Sequence, residues 1–220
     1  MLMPNPSTAD EFLRLAEESG VLEKRQVEKF VQELTAQGAV PSDASTVAES
    51  LVSSHTLTRW QAGKLLEGRH QGFLLGKYRL LNLLGKGSMG TVYLAEHTLM
   101  RRQVALKVLP FDHLEQPAYL DRFLREAQAV ATLDHPNIVR AYDVGKEHEG
   151  SRDVYYLAME YVDGRDLAEV LKADGALDFV EAADFVRQVA DGLAHAHDVG
   201  LVHRDIKPGN LLIDRNRTVR

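Results

Sequence analysis

The stretch His203-Arg204-Asp205-Ile206-Lys207-Pro208-Gly209-Asn210 organises the reading of this sequence. Four residues separate Asp205 from Asn210, the spacing H-R-D-x-x-x-x-N. A carboxylate at the first place can orient an attacking hydroxyl and accept its proton, and an amide oxygen at the second can ligate a hard cation. Pro208 and Gly209 between them predict a shaped loop and not a helix.

Upstream, Gly85-Lys86-Gly87-Ser88-Met89-Gly90 matches G-x-G-x-x-G. Glycines let the backbone turn sharply and bring N–H groups close to phosphate oxygens. A dinucleotide-binding fingerprint needs a helix directly after such glycines. The next residues, Thr91-Val92-Tyr93-Leu94-Ala95, read instead as a strand, so the glycines are expected to join two antiparallel strands as a flap over a ligand. Val104-Ala105-Leu106-Lys107 then places a Lys on an apolar strand, where it is costly unless paired. Glu126, nineteen positions on and two to three turns into a predicted helix, is the candidate partner.

The chain has 220 residues, of which 45% are hydrophobic and 26% charged, with no Cys and a net charge of -6. Such a composition excludes wholesale disorder, a disulfide scaffold and Cys-ligated zinc. The acidity is generic, with 7 basic and 10 acidic residues before Gly76 and 19 and 22 from there on. It argues against a nucleic-acid partner. No apolar run of about 18 residues exists, so no membrane contact is expected in this segment, and the cytoplasm is the default. His195 and His197, two apart on a predicted helix, do not share a face, and no zinc spacing appears.

Residues 1–75 predict a small all-α leader. The first helix carries a Ser7–Asp10 cap and Phe12, Leu15 and Ala16. A second carries Val27, Phe30, Val31 and Leu34, closed by Gly38 and Pro41. A third carries Val47, Leu51 and Val52, and a fourth is capped by Thr58 and Gln61. Gly63–Gly76, with four Gly among charged residues, reads as a linker. From Tyr78 the texture changes to strands at 78–84, 91–96, 103–109, 138–144 and 154–160, with helices at 118–133 and 179–197. Strands first and helices afterwards make this part α+β.

With these motifs in this order, residues 76–220 resemble the N-terminal part of a bacterial eukaryotic-like (Hanks-type) Ser/Thr protein kinase. LGKGSMGTVYLA, LDHPNIV and the Lys207 of the catalytic loop carry the branch resemblance. It implies a protein-kinase-like fold: an antiparallel five-stranded N-lobe sheet with its helix αC, and an incomplete helical C-lobe. It implies that Gly85, Lys86, Gly87 and Gly90 cover the ATP phosphates. Val92 and Ala105 would lie above the adenine and Leu212 below it, and the backbone of Glu160 and Val162, after the gatekeeper Met159, would bind the adenine edge. Asp166 would contact the ribose. Lys107 would hold the α- and β-phosphates, fixed by Glu126. Asp205 would be the catalytic base, Lys207 would neutralise the transferring phosphoryl group, and Asn210 would ligate Mg²⁺. His203 takes a structural role, and Arg204 the place that senses a phosphorylated loop. The implied partners are ATP and protein substrates with Ser or Thr.

The sequence runs ten residues past Asn210, and the family's D-F-G motif, whose Asp is the main Mg²⁺ ligand, is expected beyond Arg220. The expectation is therefore a fragment of a longer kinase with little activity by itself, and an anchor further downstream stays open. The stripe Phe185, Val189, Leu193 and Ala196 is then expected to lie uncovered. The alternative is a pseudokinase-like nucleotide-binding scaffold whose leader is an interaction module. Intact Lys107, Glu126, Asp205 and Asn210 favour the enzyme.

Overall fold

The computed structural model describes residues 4–36, 42–87, 90–109, 117–149 and 152–220. The side chains of residues 117, 118, 122, 126, 149 and 152 lie outside that description. The chain divides into two compact units, Met1–Val104 and Ala105–Arg220.

The first unit opens with four helices, α1 (Ala9–Glu18), α2 (Lys24–Ala36), α3 (Ala44–Ser53) and α4 (Arg59–Leu66). Phe12, Ala16, Val47, Leu51 and Leu65 are buried together, which matches the apolar spacing read from the sequence. The α1 cap differs by one residue. Thr8, not Ser7, is the N-cap, and the longer Glu11, not Asp10, reaches back to the N–H groups of Ser7 (2.8 Å) and Thr8 (3.2 Å). Helix α2 buries no residue fully; Val27 and Phe30 only lean on the cluster. Gly38 and Pro41, expected to close it, lie outside the described residues.

The predicted linker Gly63–Gly76 is packed, not a loose tether. Leu65, Phe73 and Leu75 inside it are at most 3% exposed. Gly68 (φ 74°), Gly72 (φ 81°) and Gly76 (φ 54°) adopt the left-handed region, so its glycines shape turns. Strands β1 (Leu74–Leu75), β2 (Tyr78–Gly87) and β3 (Gly90–His97) follow in antiparallel order. The two-residue β1 is a strand beyond the five that the sequence led us to expect for this sheet.

The boundary between the units falls within β4 (Gln103–Val108). The second unit continues with α5 (Pro117–Ala131), β5 (Ala141–Glu149), β6 (Arg152–Glu160), β7 (Gly164–Asp166), α6 (Leu167–Asp174), α7 (Phe179–Asp198), one 3-10 turn (Pro208–Asn210) and β8 (Leu212–Asp214). Its strand order is β4-β6-β5, with a separate β7-β8 ladder. The strand expected at 138–144 begins only at Ala141, because Ile138 closes a turn onto the His135 carbonyl.

The stripe expected to lie uncovered on α7 is instead packed. Phe185 is 4% exposed and clusters with Val170, Ile213 and Val219, with Val189 against them. The open apolar positions are on other parts of the helix surface: Phe179 (86% exposed), Val180 and Val186. Spacing picked out the right stripe; what it could not show is that the return of the chain through β8 covers it. No described helix is long and apolar enough to cross a membrane.

Gly164 illustrates how tightly β7 and β8 approach, since an added Cβ would overlap the Ile213 carbonyl. Gly164→Ala is therefore expected to lower unfolding free energy by about 1–3 kcal/mol in urea denaturation. Gly209→Ala, where a Cβ meets nothing within 4 Å, is expected to change it little.

Candidate active site

The glycine-rich segment is a β2–β3 hairpin in the first unit. Gly85 faces Val92, Lys86 faces Thr91 and Gly87 faces Gly90, with bulges between Leu80 and Asn82 and between Leu83 and Gly85. A strand follows the glycines, which removes the dinucleotide-fold alternative. Gly90 has φ 129°, a conformation that L side chains rarely adopt. Lys86 is exposed and Val92 half-buried. Ser88 and Met89 at the tip lie outside the described residues.

The other candidates belong to the second unit. Ala105 and Lys107 lie half-buried on β4. Glu126 sits on α5, but its side chain lies outside the described residues, and with it the expected Lys107–Glu126 pair. At the end of β6, Glu160 donates its N–H to the Arg140 carbonyl (2.8 Å), and Val162, just beyond the strand, is 8% exposed. Asp166 and Leu212 are register partners across β7 and β8, and both are half-buried. Asp166 also caps α6, its Oδ1 accepting the Glu169 N–H (2.9 Å).

The catalytic-loop residues converge most closely. Lys207 Nζ lies 2.9 Å and 3.1 Å from the two Asp205 carboxylate oxygens. Asn210 Nδ2 donates to the Asp205 carbonyl (2.8 Å) and to its Oδ2 (3.0 Å). With its NH₂ so occupied, Asn210 keeps its amide oxygen as the hard donor end. Arg204 (φ 64°) turns the chain just before Asp205, and the His203 Nδ1 accepts the Asp205 N–H (3.3 Å). Pro208–Asn210 is a 3-10 turn, so the loop is shaped as the Pro-Gly pair suggested.

Arg220, which sequence reasoning did not single out, contacts the candidate site residue Glu160. Its guanidinium contacts Glu160 (2.9 Å), the Pro136 carbonyl (3.1 Å) and Asp214 (3.7 Å). Its carbonyl partner is 84 positions away in sequence, so no local spacing could have revealed it.

The Lys207 and Asn210 hydrogen bonds hold the Asp205 carboxyl below its ordinary pKa; the Lys207 charge and, more weakly, His203 add to this. A depressed folded-state pKa means the interaction is present above the unfolded value and is lost as pH falls through the folded one, so the window lies below about pH 4. In a carbon-13 NMR titration, Asp205 is expected to titrate below an ordinary Asp, and Lys207→Met to move its midpoint upward. An unshifted midpoint in both proteins would remove the ion pair.

The family model for the protein kinase domain matches residues 78–220. The chain is 46% identical over 145 residues to the serine/threonine-protein kinase PrkC of Bacillus subtilis, covering 66% of this chain and 22% of that protein. It is 42% identical over 160 residues to the serine/threonine-protein kinase PksC of Streptomyces coelicolor (70% and 29%). It is 38% identical over 147 residues to the serine/threonine-protein kinase PknB of Mycobacterium leprae (67% and 24%). The chain thus spans less than a third of the length of these relatives. With a catalytic-loop cluster, a glycine-rich hairpin and a match over residues 78–220, this chain belongs to the protein kinase domain family, on its bacterial Hanks-type branch.

Proposed function

We propose that residues 76–220 are the nucleotide-binding and catalytic-loop part of a serine/threonine protein kinase, preceded by the helical leader 1–75. The observation that carries this reading is the Asp205–Lys207–Asn210 cluster. Protein kinases use ATP and Mg²⁺. The N–H groups of the Gly85–Gly90 hairpin and the Lys107 ammonium receive the phosphates, and Glu126 holds Lys107. By the family resemblance, Val92, Ala105 and Leu212 would serve the adenine faces, the backbone of Glu160 and Val162 its edge, and Asp166 the ribose.

In the transfer, Asp205 takes the proton of a substrate Ser or Thr hydroxyl. A bond forms from that oxygen to the γ-phosphorus while the bond to the β–γ bridging oxygen breaks, and ADP leaves. Lys207 offsets charge on the moving phosphoryl group, which is worth most where water is excluded. Asn210 offers its amide oxygen to Mg²⁺, which, when bound, neutralises phosphate charge. An acidic balance in both halves of the chain disfavours a nucleic-acid partner, and a cytoplasmic setting supplies the ATP.

The test is binding of a fluorescent trinitrophenyl-ATP with Mg²⁺. The chain is expected to bind it, with Lys107→Met weaker by about tenfold and Asp205→Asn near the parent value. In the whole protein, Asp205→Asn is expected to lower phosphate transfer to a generic basic protein by on the order of 100-fold or more. Absence of nucleotide binding at millimolar concentration counts against the reading, and binding with no transfer by the whole protein points to the scaffold alternative.

A further inference from the structure

Two polar side chains of the leader reach beyond their own helix. Thr58 and Gln61 form the reciprocal cap of α4: Thr58 Oγ1 accepts the Gln61 N–H (3.1 Å), and Gln61 Oε1 accepts the Thr58 N–H (2.9 Å). Each also donates into β2. The Thr58 hydroxyl donates to the Leu81 carbonyl (2.5 Å), and Gln61 Nε2 donates to the Leu80 carbonyl (2.8 Å). Gln61 is only 2% exposed. Between them, Trp60 sets its ring edgewise to Phe73 (6.0 Å) and to Tyr93 of β3 (5.8 Å).

The point of attachment is specific. Leu80 pairs with Ala95 and Asn82 with Leu94, so Leu81 is the extra residue of a bulge and has no register partner on β3. A bulge re-aims the strand that carries it, and the half-buried Leu81 carbonyl gains a donor outside the ladder. The leader supplies the missing donor at this bend, four residues before Gly85. Thr58, Trp60 and Gln61 all precede residue 78, where the kinase-family match begins.

We propose that α4 is a positioning element for the glycine-rich hairpin. Through Thr58 and Gln61 it fixes the bulge at Leu81, and with it the direction in which β2 delivers Gly85–Gly90. What the hairpin holds rests on the kinase reading; the mechanical coupling does not.

Two readouts test it: amide hydrogen exchange across residues 82–94, and affinity for trinitrophenyl-ATP with Mg²⁺. Gln61→Met keeps the side-chain length and removes its hydrogen bonds. It is expected to speed exchange in the hairpin by about fivefold and to weaken nucleotide binding by about threefold or more. Thr58→Ser, which keeps the hydroxyl, is expected to leave both unchanged. Thr8→Ala removes a comparable cap at α1, away from the sheet, and is expected to lower Tm while leaving both readouts alone. If Gln61→Met does not fold, Thr58→Val, which removes one of the two bonds to β2, carries the same comparison.

The proposal is overturned if Gln61→Met moves only Tm, or if Thr8→Ala disturbs the hairpin equally. A parent chain that binds no nucleotide would sink the kinase reading, and the exchange comparison alone would then decide the coupling.

Discussion

A buried amide has to satisfy four hydrogen-bonding positions, and in the second unit one residue meets all four. Gln188, 8% exposed on α7, accepts from Asn137 Nδ2 (3.0 Å) and from the Val219 N–H (2.8 Å). It donates to Asp184 (2.8 Å) and to the Arg217 carbonyl (3.2 Å). Asn137 closes the circuit on the Val219 carbonyl (2.8 Å). Segments 82 positions apart in sequence are thereby tied to one helix. A fully satisfied network of this kind specifies one arrangement, because every alternative leaves a buried polar group unpaired.

The rest of the second unit follows from that tie. Val219 held in place brings Arg220 to Glu160 at the end of β6 and to Asp214 at the end of β8. The β7–β8 ladder then sets Asp166 opposite Leu212, and Leu167 donates to the Leu211 carbonyl directly after the catalytic loop. The exposed Asp205–Lys207–Asn210 cluster stands on this frame. Its own ion pair is solvent-exposed and contributes little to holding the loop. Precision comes from the buried amide and the ladder beneath.

In the first unit the corresponding device is the cap of α4. A motif that would ordinarily only start a helix also supplies donors to a bent strand. The leader and the strands β1–β3 therefore form one compact unit, although their compositions differ sharply on either side of Gly76.

Much of this was legible in the sequence, for local reasons. Caps such as Thr58–Gln61 are read within four residues, and the apolar faces of α1 and α3 within two turns. The strand after Gly90 and the turn at Pro208-Gly209 follow from residues adjacent to them. The α1 cap was misplaced by one residue because Asp and Glu differ only in reach, and the cover over the correctly read stripe of α7 was missed because β8 supplies it from a distance. Sequence by itself determined the elements, the motif order and the chemical identity of the loop cluster, since these depend on spacing along the chain. Only the tertiary structure decided that Arg220 meets Glu160, that Gln188 binds the turn before it, and that α4 satisfies the bulge at Leu81. Each of those joins groups distant in sequence, and the need to pair buried polar atoms leaves no periodic trace.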